Sequence, residues 1–176
     1  MTSGHRRWWL WAAVVVLAAF LAATAVLFLF PATNPPERVD AIVALGGDKG
    51  QLRAKEAVSL GKAGYSHQIL VSLGGYPPAP CPAPVAGLVI TCFRADPLNT
   101  RGEAEEIGRQ VVEHHWQSVI VVPSTTQVTR ARIEIQRCTS ARLVMVPVAD
   151  PKSELAFDVL YEWGALAKAL VLVRTC

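Results

Sequence analysis

Two arginines of this chain lie where they could bind a phosphate or carboxylate group. Arg53 follows Gly46 and Gly47 in the segment LGGDKGQLR, a glycine turn that leads into a predicted helix. Free backbone N–H groups at a helix start bind anions, and a guanidinium adds a bidentate donor. A tight structural turn explains the glycines equally well. The segment matches neither G-x-x-x-x-G-K-[ST] nor G-x-G-x-x-G, the motifs for nucleoside triphosphates and dinucleotides.

The second arginine follows a group of hydroxyl residues. Ser124, Thr125 and Thr126 come at the end of an apolar run, and Arg130 follows about one turn into the next predicted helix. This arrangement predicts the other side of the same anion site. Ordinary helix capping by serine or threonine, with solvated arginines, is the alternative. Convergence favours the site, because two helix starts that carry arginine should face one crevice.

Short apolar runs alternate with amphipathic stretches along the chain. The apolar runs predict strands at residues 39–45, 68–73, 88–93, 119–122 and 142–148, the third being a short strand or an edge extension. Helices are predicted at 51–63, from Asn99 or Thr100 to about 115, at 126–137 and at 154–173. Apolar spacing in the last helix predicts core packing of Leu155, Val159, Trp163, Leu166 and Leu170. The alternation indicates a doubly wound α/β fold with parallel strands.

Ligands of such sheets lie beyond the carboxyl ends of the strands. This rule selects the segments 45–53, 72–75, 99–103 and 123–130. The first two strands both end at paired glycines, Gly46 with Gly47 and Gly74 with Gly75, which suggests a shared structural purpose.

Four motifs occur in a fixed order between residues 39 and 148. They are LGG followed by Arg53, S-x-G-G at 72–75, Asn99 with Thr100, and P-S-x-x-Q-x-x-R-A at 123–131. This order resembles the SanA/ElyC/YdcF family of bacterial envelope proteins. The resemblance implies a Rossmann-like three-layer α/β sandwich with a mostly parallel sheet, behind one membrane anchor. It also implies a role in peptidoglycan or surface-polysaccharide biogenesis, in membrane barrier function, or in handling a polyprenyl-phosphate carrier lipid.

The chain departs from the family pattern at positions that matter for proton transfer. Gln127 stands where the family tends to have histidine, and an amide cannot carry a proton near neutral pH. Arg94 and Gly102 stand where the family tends to have acidic residues. Glu103 is the only nearby carboxylate, so we nominate it as the catalytic base. The histidines of the chain are predicted to be surface residues.

The predicted ligand-binding residues come from all four segments: Gly46, Gly47, Arg53, Gly74, Gly75, Asn99, Thr100, Ser124, Gln127 and Arg130. They favour an anchored envelope protein that binds a phosphorylated lipid or sugar carrier. A hydrolase or transferase with Glu103 as base, and a non-catalytic partner of cell-wall synthases, are alternatives. Binding of a methyl-donor nucleotide is a further alternative, based on the fold alone. We expect no cofactor and no metal ion.

Residues 8–30 contain no charged side chain. At 1.5 Å per residue such a helix is about 34 Å long, enough to cross a hydrocarbon core of roughly 30 Å. Arg6 and Arg7 place its amino end in the cytoplasm by the positive-inside rule. Three tryptophans suit the lipid interface: Trp8, Trp9 and Trp11. A cleavable signal peptide is the alternative, although its apolar region is usually only about 7–15 residues long.

The predicted organisation is therefore a cytoplasmic tail (1–7), a transmembrane helix (8–30), a linker (31–38) and an extracytoplasmic α/β domain (39–176). The protein would be a single-pass protein of the plasma membrane, in contact with the lipid bilayer. Arg6 and Arg7 account for two of the 17 Lys and Arg residues, and the remainder nearly balance the 14 Asp and Glu residues. This balance gives no reason to expect nucleic acid as a partner.

Four cysteines follow the predicted anchor, as an oxidising compartment permits. Three pairings are possible. We favour Cys81 with Cys92, which bracket a proline-rich segment, and Cys138 with Cys176, each of which follows a predicted helix. A zinc site is the alternative, but the chain has no C-x-x-C motif and no cluster of cysteine and histidine.

Overall fold

Apolar segments of the chain form a five-stranded parallel sheet. The structure is a computed structural model, and it describes residues 3–47, 51–74 and 78–176, with side chains from residue 7 onward. The strands are β1 (Ala41–Ala44), β2 (Gln68–Ser72), β3 (Val89–Phe93), β4 (Ser118–Val122) and β5 (Arg142–Met145). Their spatial order is β3-β2-β1-β4-β5, with every pairing parallel. The predicted α/β fold is confirmed, and the third strand lies at an edge of the sheet.

The helices begin and end close to their predicted positions. They are α1 (Ser3–Thr24), α2 (Leu52–Lys62), α3 (Thr100–His114), α4 (Val128–Cys138) and α5 (Leu155–Val171), and a π-helical turn (Ala25–Leu29) continues α1. Asn99 caps α3, because its side-chain oxygen accepts a hydrogen bond from the Gly102 N–H at 3.1 Å. The fifth strand is shorter than predicted, because Pro147 has no N–H group to continue the ladder. Val148 then forms only an isolated bridge with Ser124.

Side chains on successive strand positions point to opposite faces of the sheet, and both faces are covered by helices. Val43 and Val121 pack with Ile107 of α3 in one core cluster. Ile42 packs on the other face with Leu60 of α2. Strands buried on both sides are continuous apolar runs, as the sequence of each strand shows. The domain is a Rossmann-like three-layer sandwich.

The strand order places a crevice next to the middle of the sheet. From β1 the chain continues to β2 and β3 on one side, and it then returns to β4 and β5 on the other side. Ala44 at the end of β1 pairs with Val122 at the end of β4. The loops that follow these two strands lead to helices on opposite faces of the sheet. They therefore leave a crevice between them, at the place where the strand order reverses, which we call the switch point.

Within the described residues, the segment Arg7–Leu29 is the one helical stretch long and apolar enough to cross a membrane. Its carboxyl-terminal end packs on the α/β domain. Phe28 is fully buried, and the Thr129 hydroxyl of α4 donates a hydrogen bond to the carbonyl oxygen of Leu27 at 2.6 Å. The candidate span is therefore in direct contact with the domain.

The predicted linker, residues 31–38, has no helix or strand but is held along the domain. Asn34 and Met145 exchange two hydrogen bonds, at 3.0 Å from the Asn34 N–H and at 3.1 Å to the Asn34 side-chain oxygen. The Arg132 guanidinium donates to the carbonyl oxygen of Ala32 at 2.6 Å, and Arg142 forms an ion pair with Glu37. These bonds hold the domain at a set position relative to the end of the span.

The apolar stripe predicted as core packing in α5 is only partly buried. Leu166 is buried, whereas Leu170 is 47 % exposed. Trp163 packs on the candidate span instead of the sheet core, with its ring centroid 5.2 Å from that of Phe20. The core prediction is therefore wrong for these two outer residues of the stripe, because α5 lies outside α4 and next to α1.

Both predicted cysteine pairs lie at disulfide distance. The Cα atoms are 6.0 Å apart for Cys81 and Cys92, and 4.9 Å apart for Cys138 and Cys176. The first pair attaches the proline-rich segment to β3. The second attaches the carboxyl terminus to the end of α4. No cysteine of the described ranges is left free.

Removing the longer cross-link should cost more stability than removing the shorter one. The pairs are separated by 38 and 11 residues. Loop-closure entropy then gives about 4 kcal/mol for Cys138 with Cys176 and about 3 kcal/mol for Cys81 with Cys92. Urea unfolding of the full-length double serine variants in detergent measures both losses. Free thiols found by alkylation of the unreduced wild-type protein would contradict the pairing itself.

Candidate functional site

A cavity of about 460 Å³ lies beyond the carboxyl ends of β1 and β4, at the switch point of the sheet. All predicted site residues that the structure describes line this cavity: Gly46, Gly47, Arg53, Gly74, Asn99, Thr100, Glu103, Ser124, Gln127 and Arg130. Gly75 lies outside the described residues. The four segments selected from the sequence therefore meet in one place, although they are separated by up to about eighty residues. Ligand binding by them stays a prediction.

The paired glycines allow two loops to touch backbone to backbone. A Cβ atom added to Gly46 would lie 2.6 Å from the backbone nitrogen of Gly74, and one added to Gly74 would lie closer still to the nitrogen of Gly47. No side chain fits between the loops. The shared purpose of the glycines is this close approach, which forms one wall of the cavity.

Glu103 lies in the first turn of α3 and points to that wall. Its Oε1 atom accepts a hydrogen bond from the Gly46 N–H at 2.6 Å, and its side chain is buried. Burial raises the pKa of this carboxyl above its ordinary value of 4.5. The Ser72 hydroxyl, the Gly46 N–H and the charges of Arg53 and Arg130 oppose that rise only in part. A raised pKa suits proton transfer nearer to neutral pH.

Ser72 is a site residue that sequence reasoning did not single out. It ends β2, lines the cavity and is 5 % exposed. Its hydroxyl lies close enough to Glu103 to lower the pKa of that carboxyl, but it makes no hydrogen bond of standard geometry within the described ranges. A buried hydroxyl without a full hydrogen bond is unfavourable, so a ligand atom there would be stabilised. The signal was present as the serine of the S-x-G-G motif.

Gln127 connects three helices at the cavity wall. Its side-chain oxygen accepts a hydrogen bond from Arg53 Nη1 at 2.8 Å, and its Nε2 donates to the Thr100 hydroxyl at 2.9 Å. The amide thus orients the Arg53 guanidinium at the edge of the cavity. An amide in this role positions its neighbours and does not transfer protons.

Arg130 reaches the cavity but already has an anionic partner. Its Nε and Nη2 atoms donate to the two carboxylate oxygens of Glu162 at 2.7 and 2.6 Å, and both side chains are buried. Burial opposes the charge of Arg130, but Glu162 and Glu134 outweigh it and raise the pKa of the guanidinium. A ligand anion would have to share Arg130 with Glu162.

The carboxylates of α5 and of the loop before it are the main residues that sequence reasoning missed. Glu154, Asp158 and Glu162 recur every fourth residue, which places them on one face of the helix, and all three line the cavity. Asp150 lines it too, and its carboxylate accepts hydrogen bonds from the Thr126 N–H at 3.0 Å and hydroxyl at 3.2 Å. The regular spacing of these acidic residues in the sequence was the signal that could have identified them as cavity residues.

The described lining thus has a donor-rich side and an acidic side. Arg53 and the Ser72 hydroxyl lie near Glu103, whereas the lining carboxylates Asp158 and Glu162 belong to the same helix as the lining aromatic residues Phe157 and Tyr161. Within the described ranges, no three His, Cys, Asp or Glu side chains are grouped as metal ligands would be. His67, His114 and His115 are exposed, as predicted.

Comparisons of the chain with models of protein families, with curated proteins and with solved structures gave no match.

Replacing Glu103 by glutamine should remove a pH dependence of stability. Because the pKa of this carboxyl is higher in the folded protein than in the unfolded chain, its contribution to the unfolding free energy is fully present below its ordinary pKa of 4.5. That contribution is lost as the pH rises through the raised folded pKa. The unfolding free energy of Glu103→Gln should therefore increase relative to wild type as the pH increases, in urea unfolding of the full-length protein.

The matched control is Glu105→Gln, which removes a partly exposed carboxylate from the same helix. It should leave the pH dependence of the wild-type protein in place. If the unfolding free energies of wild type and Glu103→Gln changed in parallel with pH, the pKa of the Glu103 carboxyl would not be perturbed by burial.

Proposed function

We propose that this protein is a membrane-anchored envelope protein whose cavity binds the phosphorylated head group of a carrier lipid, in cell-wall or surface-polysaccharide biogenesis. The observation that carries this proposal is the meeting of Arg53, Ser72 and Glu103 in one cavity at the switch point. The motif order that resembles the SanA/ElyC/YdcF family supports the envelope role.

The phosphate would bind on the donor-rich side. Gln127 orients the Arg53 guanidinium, and the Ser72 hydroxyl is close by. The raised pKa of Glu103 favours the neutral form more than in an exposed glutamate, which would lessen its repulsion of a phosphate. Its Oε1 atom accepts from the Gly46 N–H, so a proton on Oε2 could be donated to a phosphate oxygen.

A sugar attached to the phosphate would bind on the acidic side. Carboxylate oxygens accept hydrogen bonds from sugar hydroxyls, and Asp150, Glu154 and Asp158 line that side. Phe157 and Tyr161 offer aromatic surface for the apolar face of a sugar ring. A ligand that combines one phosphate with hydroxyl groups suits both sides of the cavity, whereas a phosphate alone uses only one.

The proposed location is outside the cytoplasm. Arg6 and Arg7 before the span favour a cytoplasmic amino end, which puts the domain on the other side of the plasma membrane. Two cysteine pairs at disulfide distance agree with an oxidising compartment. An anchor would also keep the cavity at high effective concentration relative to a lipid ligand.

Replacement of Arg53 by alanine should weaken binding of polyprenyl phosphate in nanodiscs by about tenfold or more, because a hydrogen bond to a charged group contributes about 1.5–3 kcal/mol. Native mass spectrometry of the full-length protein with defined lipid measures this. Arg109→Ala, on the exposed side of α3, is the control and should bind as wild type does. Arg130 is a poorer choice, because its removal would leave Glu162 buried without its partner. The proposal would be contradicted if the wild-type protein bound uncharged polyprenol as tightly as it binds polyprenyl phosphate.

The second candidate function is a hydrolase or transferase that acts on the same phosphorylated carrier. The buried Glu103 carboxyl, with its raised pKa and a neighbouring hydroxyl, is the observation that favours it. In this function Glu103 would accept a proton from water or from an acceptor hydroxyl as that oxygen attacks the phosphorus that carries the sugar. The bond from this phosphorus to the bridging oxygen of the diphosphate would break, and polyprenyl phosphate would leave.

If the protein turns over polyprenyl-diphosphate sugar, Glu103→Gln should lower kcat by about a hundredfold or more, the usual contribution of a general base. Glu105→Gln should keep the wild-type rate. Chromatography of the radiolabelled lipid products measures both. Turnover by Glu103→Gln at the wild-type rate would exclude this residue as the base.

A further inference from the structure

The helix α5 exposes an almost wholly apolar face. Phe157 is 72 % exposed, Leu160 is 73 % exposed, and Val171 is 62 % exposed. We call the exposed residues of this helix the lipid face: Ala156, Phe157, Leu160, Tyr161, Gly164, Ala167, Lys168, Leu170 and Val171. Lys168 is its only charged member. A helix at an aqueous surface has polar residues on its exposed side, so this face is suited to another environment.

The neighbour of the lipid face is the candidate membrane span. Trp163 of α5 stacks on Phe20 with ring centroids 5.2 Å apart, and it meets Phe28 edge to face at 5.1 Å. Its indole N–H donates to the Thr24 hydroxyl at 3.1 Å. The span extends to Leu29, which is nine residues beyond Phe20, and nine residues of helix correspond to about 14 Å. If the span crosses a bilayer, α5 therefore lies alongside a part of it that is well inside the bilayer.

The amino-terminal half of α5 lies nearer to the end of the candidate span than its carboxyl-terminal end does. Arg137 at the end of α4 donates to the carbonyl oxygens of Ala169 and Val173, whereas Thr129 at the start of α4 contacts Leu27 of the span. The carboxyl end of α5 thus lies near the end of α4 that is remote from the span.

We propose that α5 is a second membrane-contacting element, and that its lipid face is covered by the acyl chains and interface of the bilayer beside α1. The occupant is lipid because the face continues the surface of the span. Tyr161 is a residue type that collects at lipid interfaces, and the long stem of Lys168 can bring its ammonium group to lipid phosphates. This proposal does not depend on what the cavity binds.

One consequence concerns access to the cavity. Phe157 and Tyr161 belong both to the lipid face and to the cavity lining. Glu162 lies on the buried side of the same helix, paired with Arg130. The helix α5 thus separates the cavity from the bilayer, and the cavity borders on lipid where the two aromatic side chains lie.

The test compares two exposed apolar positions by fluorescence. Leu160→Cys and Val112→Cys each add one thiol to a chain whose described cysteines are paired, and both parent side chains are 73 % exposed. Val112 lies on α3, away from the span. Each full-length variant is labelled with bimane and reconstituted in phosphatidylethanolamine and phosphatidylglycerol vesicles without polyprenyl lipid. Quenching by acyl-chain doxyl lipids and by aqueous iodide is then measured.

The label at position 160 should be quenched several-fold more by doxyl lipid than the label at 112, and several-fold less by iodide. Equal iodide quenching at the two positions would overturn the proposal, since the face would then be in water. Protection from iodide without doxyl quenching would overturn it too, because a protein partner or a second copy would then cover the face. Because no polyprenyl lipid is present, this outcome is separate from the success or failure of the proposed function.

Discussion

The contact between the loops that follow β1 and β2 is the constraint on which the cavity depends. Gly46 and Gly74 approach so closely that no side chain fits between them. This approach leaves the Gly46 N–H directed at Glu103 of α3, at 2.6 Å. The contact thus joins two strand ends and one helix start, and it buries the carboxyl whose pKa is raised. Any residue larger than glycine would separate these parts and open that wall of the cavity.

The opposite wall depends on the ion pair between Arg130 and Glu162. A buried pair of this kind contributes little net stability, but the loss of one partner is strongly destabilising. It connects α4 to α5 and fixes which face of α5 meets the cavity. With Glu162 directed inward, Leu160 is left on the outside, and Trp163 contacts the candidate span. The polar site and the apolar surface are thus two faces of one helix.

Features with a local signal could be predicted from the sequence. Short apolar runs predicted the strands of a parallel sheet, and residue type predicted a helix start at Asn99 or Thr100, of which Asn99 is the cap. The pairing of Cys81 with Cys92 followed from the segment that they bracket. The common location of Arg53 and Glu103 followed from topology, since strand ends of a parallel sheet meet at one edge.

The sequence by itself determined the strands, the helices, the apolar amino-terminal segment and the edge of the sheet where polar residues gather, because periodicity and turn residues act over short distances. Only the tertiary structure decided the partner of Arg130, which lies 32 residues away in Glu162. It also decided the packing of Trp163 on Phe20 and the burial of the Ser72 hydroxyl. These contacts join distant parts of the chain, and nothing in the local pattern of either part specifies its partner.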